Sequence, residues 1–522
     1  MYTVVPATRR QHGVWVGAVI VALAGCLAWT RSAGIDDAYI SYRYAFNLVH
    51  GQSLVFNAGE RVEATSDLLW VLLLAVCQLA GVALPVAGYL LGALSLLATV
   101  CLTYRLAVRL SLPPLVAGVT TMTVALSTDL VAGATMGLEG GLYTALLLGV
   151  ILLCDVTTGW RSPLLAVAVV ALAATRPEGI VVGSALMIVR LFLPSFRLQR
   201  DRLVTSIVAF GGVGALELVR FQYYGSWLPM SVTAKRDIGY SPLNSLVYHF
   251  PGGVKYLLLL GGLPLIVAAI AGFASAAWIV RNPGQRQNPS SSILIWSASL
   301  AVLLGLLLPL LSSGDWMPYA RLVVPYLPLA AVLGVVLLRA TPSARWALAL
   351  PIVMLVLGGH SLPMRDGLAT DNARDAIGRA LAAGIDTNSV VATDVLGRVA
   401  FWSPNVRYKD MLGLADPAVA SSPGRGGVFG KTDYAITLAA HPAVVDSNDW
   451  TSLAALVATP VPKPDYAAIV SASLIQNRIF LLVDPAVSAT VMQGVTSQFS
   501  DAVVEPLDAA FARWRTEVPN GQ

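Results

Sequence analysis

Long apolar runs separated by short polar turns fill the chain from its first residues to about residue 361. Crossing a membrane needs about 20 apolar residues. The runs at 14–33, 86–106, 113–131, 138–154, 162–174, 179–194, 203–219, 254–280, 292–311, 320–338 and 345–361 predict eleven spanning helices. The run at 68–84 is apolar too, and the side on which basic residues fall decides its role. If it crossed, Arg105 and Arg109 would part from the other arginines. If it lies flat in the interface, Arg9, Arg10, Arg105, Arg109, Arg161, Arg197, Arg200, Arg202, Arg281, Arg286, Arg339 and Arg345 all face one side. Basic turns mark the cytoplasm, so the N-terminus is expected inside and the C-terminus outside. Between 162–174 and 179–194 lies only "TRPEG", where Pro177 favours a break into two crossings.

From residue 362 the periodicity changes. Short apolar stretches ("SVVATDV", "YAAIVSAS", "IFLLVD") alternate with polar turns and helical patterns, and "TDYAITLAAHPAVV" reads as a helix followed by a strand. Residues 362–522 are expected to form a soluble α/β or α+β domain on the outer face, following a membrane domain of residues 1–361 whose first outer loop spans 34–85. The soluble part holds no phosphate loop, nucleophile elbow or metal-ligand pair, so substrate positioning or glycan contact is its expected role.

Composition agrees: 56% of the 522 residues are hydrophobic and 12% charged, with a mean hydropathy of +0.70, whereas soluble domains carry about 25% charged residues. The basic residues are scattered between apolar runs and make no face for a nucleic acid. Cys26, Cys77, Cys101 and Cys154 all fall in apolar stretches without a C-x-x-C pair, which predicts buried free thiols. "LAGC" (Leu23–Cys26) looks like a lipoprotein cleavage box, but the apolar run continues through Trp29, as a spanning helix would. The five histidines (His12, His50, His249, His360, His441) are dispersed and show no catalytic pattern.

In this topology the ionisable residues collect in five outer loops. The first carries Asp36, Asp37, Arg43, Glu60, Arg61, Glu63 and Asp67; the second Asp129 and Glu139; the third Arg176 and Glu178. The fourth carries Arg220, Tyr223, Tyr224 and Lys235, and the fifth Asp315, Trp316 and Arg321. Charges at membrane level are costly and suggest function, and a ring of them on one face implies one cavity. Two adjacent carboxylates can orient and deprotonate a hydroxyl. Lys235 and Arg321 can hold a phosphate, and Tyr39, Tyr42, Tyr44 and Trp316 offer flat faces to a sugar or an isoprenoid. A sugar leaving a lipid phosphate would use all three features. Structural readings stand beside these. The aspartates could cap a helix, Lys235 and Arg321 could snorkel as interface anchors, and Arg176 could simply pair with Glu178. The tyrosines could form an interfacial belt, and Glu139 could favour a helix dipole.

An aspartate pair after the first spanning helix, an interfacial helix, about eleven spans and an outer C-terminal domain resemble the GT-C glycosyltransferases, which use polyprenyl-phosphate sugars. "DDAYISYRYAFNLVHGQSLVFNAGERVEATSDLLW" is similar to the first loop of the group that includes the mycobacterial terminal arabinofuranosyltransferases. "GLEGGLY", "TRPEG", "YYGSWLPMSVTAK", "GDWMPYAR" and "DMLGLADPAVA" also look like stretches of that wider group. The resemblance implies Asp36 and Asp37 as catalytic carboxylates, without saying which is the base, with Arg61 and Glu63 lining the site. It implies an inverting transfer of a sugar, arabinofuranose above all, from decaprenyl phosphate to a cell-envelope polysaccharide at the outer face of a bacterial plasma membrane. Arg43, Tyr39, Glu139, Arg176, Glu178, Tyr224, Asp315 and Trp316 join Lys235 and Arg321 as expected substrate-binding residues, and a divalent cation is left open. "ATSDLLW" and "LPMS" depart from relatives that carry asparagine there, which bears on donor and acceptor. Alternatives are transfer of mannose or galactofuranose, and a non-catalytic scaffold or transporter.

Overall fold

A computed structural model of the chain describes residues 34–155, 161–192, 200–259, 289–315, 317, 320–339, 367–386, 389–426 and 430–518, with isolated residues between 13 and 24 and residue 270. Most of the expected span 14–33, the greater part of 254–280, all of 345–361 and Trp316 lie outside the described residues.

The helices that frame the site begin with α1 (Asp36–Val49) and α2 (Leu68–Leu79). There follow α3 (Leu84–Arg109), α4 (Pro114–Ala125), α5 (Thr128–Thr135), α6 (Gly140–Leu153), α7 (Arg161–Thr175), α8 (Glu178–Phe192) and α9 (Arg200–Tyr224). Short α10 (Met230–Lys235) leads to α11 (Pro242–Leu259), α12 (Pro289–Ser312) and α13 (Leu327–Arg339). Three helices among the described residues are long and apolar enough to cross a membrane, within residues 84–109, 200–224 and 292–312. With the shorter apolar helices packed around them they make a multi-pass membrane protein; the count of eleven spans is not reached by these criteria.

Two local differences from the sequence expectation have plain causes. The run 113–131 is not one straight span: α4 and α5 meet at 53°, because Ser127 caps the second helix, its Oγ accepting the N–H of Leu130 at 3.4 Å. The run 320–338 opens with a tight turn at Val324–Tyr326, and its helix starts only at Leu327. Two other expectations can be followed in the described residues. The polypeptide breaks at Arg176–Pro177, and Leu68–Leu79 is a 12-residue helix, about 18 Å long and too short to cross.

The C-terminal part opens with α14 (Gly367–Gly384) and builds a six-stranded mixed sheet from β1 (Val390–Thr393), β2 (Arg407–Asp410), β3 (Val444–Ser447), β4 (Ala467–Val470), β5 (Phe480–Val483) and β6 (Val503–Glu505). The order is β2-β1-β3-β5-β4-β6, with β1 parallel to β2 and β3 and the remaining pairs antiparallel. Alternate side chains leave opposite faces of a strand. Val391, Val444, Ile469, Leu481 and Val483 therefore enter one apolar cluster, while Ala392, Val445, Ala468, Val470, Phe480 and Leu482 enter another. The first cluster is continuous with Tyr39, Tyr42 and Tyr44 of α1 and with Trp70, Val71 and Leu74 of α2. The first loop and the C-terminal sheet thus share one core.

Candidate active site

The two aspartates of "GIDDAY" open α1, where negative charge suits the helix dipole; the N-cap is Ile35, and neither carboxylate caps its own helix. Their partners differ. Asp36 accepts backbone N–H groups of the C-terminal part: Gly397 donates to Oδ2 at 3.0 Å and Arg398 to Oδ1 at 2.8 Å. Asp37 faces the fifth loop, where Arg321 Nη1 donates to its Oδ2 at 3.3 Å. Burial raises the Asp37 carboxyl above its ordinary range; Arg321 opposes that shift and the Asp36 charge adds to it. Burial also raises Asp36, opposed by the amide of Arg398, the charge of Arg374 and the amide of Gly397.

Arg321 turns its Nε to Asp315, and its Nη2 lies 3.4 Å from the same carboxylate. The other guanidinium of the site, Arg176, sits in the turn between α7 and α8 and donates to Glu139 at 2.9 Å and to Glu178. Both arginines line a crevice whose other walls are apolar or small: Leu130, Met136, Leu138, Val324 and Pro325, with glycines between them. Lys235, at the end of α10, lies within electrostatic reach of Asp37, Asp315 and Arg321, and its ammonium makes no hydrogen bond or ion pair among the described residues. Burial, then the like charge of Arg321, lowers its pKa. Two clamped guanidinium groups lining an apolar slot, with the Lys235 ammonium in electrostatic reach of one of them, suit an anion with a hydrocarbon tail.

Other expected site residues support this group from a distance. Arg43 is 1% exposed and gives its donors to the carbonyls of Phe56, Ala400, Ser403 and Val406, binding the first loop to the C-terminal part rather than facing Asp37. Glu63 receives two parallel bonds of 2.8 Å from Arg220, which also pairs with Glu217. The Glu63 carbonyl accepts the N–H of Met230 at 2.8 Å, fastening the start of the helix that ends in Lys235. Tyr224 donates to the Leu54 carbonyl at 3.0 Å, and exposed Arg61 lies over the Tyr223 ring, 5.0 Å from its centroid. Tyr39, Tyr42 and Tyr44 are core residues, at most 1% exposed, and offer no face to a sugar.

Three supports were not among the expected site residues. Arg398, fully buried, donates to Tyr39 Oη at 3.0 Å, to the Gly34 carbonyl at 2.7 Å and to Asp371 and Asp375, and its guanidinium lies 4.3 Å from the Tyr39 ring centre. No local sequence signal marks it, since its partners lie up to 364 positions away. Asp67, 3% exposed, accepts Ser41 Oγ at 2.7 Å and the Thr65 hydroxyl. Burial and then the Glu139 charge push it up to about 7. The third is His249, bonded to Asp237 and Ser313. No group of three or more His, Cys, Asp or Glu among the described residues is arranged to hold a metal ion.

No family model matches the chain. A terminal β-(1→2)-arabinofuranosyltransferase of Mycobacterium tuberculosis is 32% identical over 261 residues, an alignment covering 45% of this chain and 40% of that relative. The chain therefore matches less than half of that protein's length. ArnT from Cupriavidus metallidurans, solved bound to undecaprenyl phosphate, superposes with a TM-score of 0.55 at 13% identity, over 92% of this chain and 99% of ArnT. The apo state of ArnT gives 0.54 at 13% identity, over 91% and 97%. The chain has an ArnT-like fold and resembles in sequence, over part of its length, a mycobacterial terminal arabinofuranosyltransferase.

Proposed function

We propose that this protein is a membrane glycosyltransferase that moves a sugar from a polyprenyl-phosphate donor to a hydroxyl of a cell-envelope glycan, with inversion, at the outer face of the plasma membrane. The more specific form is transfer of arabinofuranose from decaprenyl phosphate. The observation that carries the reading is the Asp37–Arg321 ion pair of 3.3 Å beside an apolar crevice that Arg176 and Arg321 both line. A proton acceptor, phosphate-binding cations and a slot for a hydrocarbon tail lie together, as a lipid-linked sugar requires.

In the proposed step Asp37 takes the proton of the acceptor hydroxyl. The oxygen attacks the anomeric carbon on the face opposite the phosphate. As that bond forms, the carbon–oxygen bond to phosphate breaks, and its electron pair leaves with the polyprenyl phosphate. Arg321, Lys235 and Arg176 hold the growing negative charge. A phosphate at Arg321 competes with Asp37 for the same guanidinium and so frees the base as the donor arrives. Asp36, with both oxygens committed to backbone amides, fixes the start of α1 and thereby the aim of Asp37. No step is routed through a metal.

The test is transfer from synthetic polyprenyl-phosphoryl-arabinose to an oligo-arabinoside by the full-length protein, with Asp37→Asn as control. Product from wild type that the folded variant does not make supports the reading. Product only from a different polyprenyl sugar discards arabinose, and silence with every donor discards the enzyme.

A further inference from the structure

His249 has no part in the chemistry above, yet it joins the two segments that carry the cations of the site. It lies on α11, is 6% exposed, and uses both ring nitrogens. Nδ1 is 2.6 Å from Ser313 Oγ, and Nε2 is 3.2 Å from Asp237 Oδ1. A carboxylate only accepts, so Nε2 carries the proton; in the neutral ring Nδ1 then accepts the Ser313 hydroxyl. Asp237 stands two residues beyond Lys235, and Ser313 two residues before Asp315, which clamps Arg321. The imidazole is thus a rigid spacer between the Lys235 segment and the Arg321 segment.

The surroundings hold that spacer in place. Asp237 Oδ1 also accepts the N–H of Gly426 at 3.0 Å, and Ile238 forms a short antiparallel bridge with Gly424. On the other side α11 is pressed against the end of α12: a side chain at Gly253 would meet the Pro309 carbonyl oxygen at 2.3 Å. Ser313 is left-handed, with φ of 62°. Such a backbone costs a non-glycine residue about 1–3 kcal/mol and persists where its neighbours over-determine it. The bond to His249 is one of those neighbours, and the turn it holds leads straight into Asp315.

We propose that His249 is a positioning residue: by bonding Asp237 and Ser313 together it sets the separation of Lys235 and Arg321, and so the fit of the site to the phosphate of a lipid-linked donor. The inference rests on the phosphate reading given above. It concerns the phosphate end of the site, which meets the base Asp37 only through Arg321.

The experiment uses full-length protein in detergent with His249→Ala, His249→Gln and Ser313→Ala. Two readouts are taken: donor KM, acceptor KM and kcat in the transfer assay, and binding of undecaprenyl phosphate by thermal shift. For His249→Ala the donor KM is expected to rise about tenfold, within the up to about 100-fold that a binding group misplaced by about 1 Å can cost. Acceptor KM should hold, and undecaprenyl phosphate should bind correspondingly more weakly. His249→Gln, whose amide reaches Asp237, should recover part of the loss. If His249→Ala does not fold, Ser313→Ala, which removes one hydroxyl, carries the same comparison. Equal losses in donor and acceptor terms, or unchanged donor KM and lipid binding in the folded variants, overturn the inference. A wild type that binds undecaprenyl phosphate but transfers no sugar defeats the enzyme reading and leaves the binding comparison to decide this one. A wild type that does neither defeats both.

Discussion

The carboxylate of Asp36 accepts the backbone N–H of Arg398 at 2.8 Å across 362 positions of sequence. That bond and its companion from Gly397 separate the roles of two adjacent, identical side chains. Asp37→Asn is expected to lower transfer by about 10²–10⁴, the usual contribution of a general base, with the melting temperature unchanged. Asp36→Ala strands two buried N–H groups, each costing about 1–3 kcal/mol, and is expected to lower the melting temperature and lose activity with it. Thermal melts beside transfer rates decide; a stable, inactive Asp36→Ala protein would reverse the assignment.

Arg398 is a single cation shared by Asp371 at 3.1 Å and Asp375 at 2.9 Å. Removing one partner of a fully buried ion pair costs about 3–5 kcal/mol, because the opposite charge is left uncompensated; here Asp371 and Asp375 keep some exposure, so the cost is smaller. Arg398→Met should therefore destabilise the protein and expose residues 367–398 to protease. Adding Asp371→Asn and Asp375→Asn should restore part of the loss. Protection unchanged in the single variant would mean that the clamp is not needed.

Asp67, held at about 7 by burial and the Glu139 charge, links stability to pH. The unfolded chain ionises near 3.8, while the folded protein keeps the proton until about 7. The unfolded state binds fewer protons between those values, so stability falls as pH rises through that window and levels off above it. Asp67→Asn should flatten this slope in melting curves from pH 4 to 8. An identical slope in wild type and variant would place the titration elsewhere.

Lys235 makes no hydrogen bond or ion pair among the described residues, so its loss should leave folding intact and fall on donor binding. A hydrogen bond to a charged group contributes about 1.5–3 kcal/mol, or roughly a ten- to hundredfold change. Lys235→Ala is expected to raise the donor KM by that factor while acceptor KM holds. Steady-state kinetics with each substrate varied in turn check it, and a change confined to the acceptor would remove Lys235 from the phosphate end.

Much of this arrangement is written locally. Charge at the ends of apolar runs locates Asp37, Glu139, Arg176, Glu178, Asp315 and Arg321, and the structure brings these six into two linked clusters. The break at Pro177 is equally plain. The kink between α4 and α5 was also readable, in the Ser127 cap followed by Asp129, but the apolar run masked it. Arg43 and Arg398 could not be sorted from sequence. Only the tertiary fold shows that Arg43 is spent on backbone carbonyls and Arg398 on a carbonyl, two carboxylates and a tyrosine. His249 gave no signal because its partners come from two other segments.

A Cβ on Gly397 would lie 1.8 Å from the Asp36 carbonyl oxygen, so the polypeptide of the distal half passes directly against the first turn of α1. This contact imposes an order on biogenesis. The ribosome delivers Asp36 early, but its seat is made only when residues 397 and 398 have emerged and the sheet behind them has formed. Until then the protein holds Asp36 unseated, and a copy in the membrane is expected to be incompetent until the sheet docks.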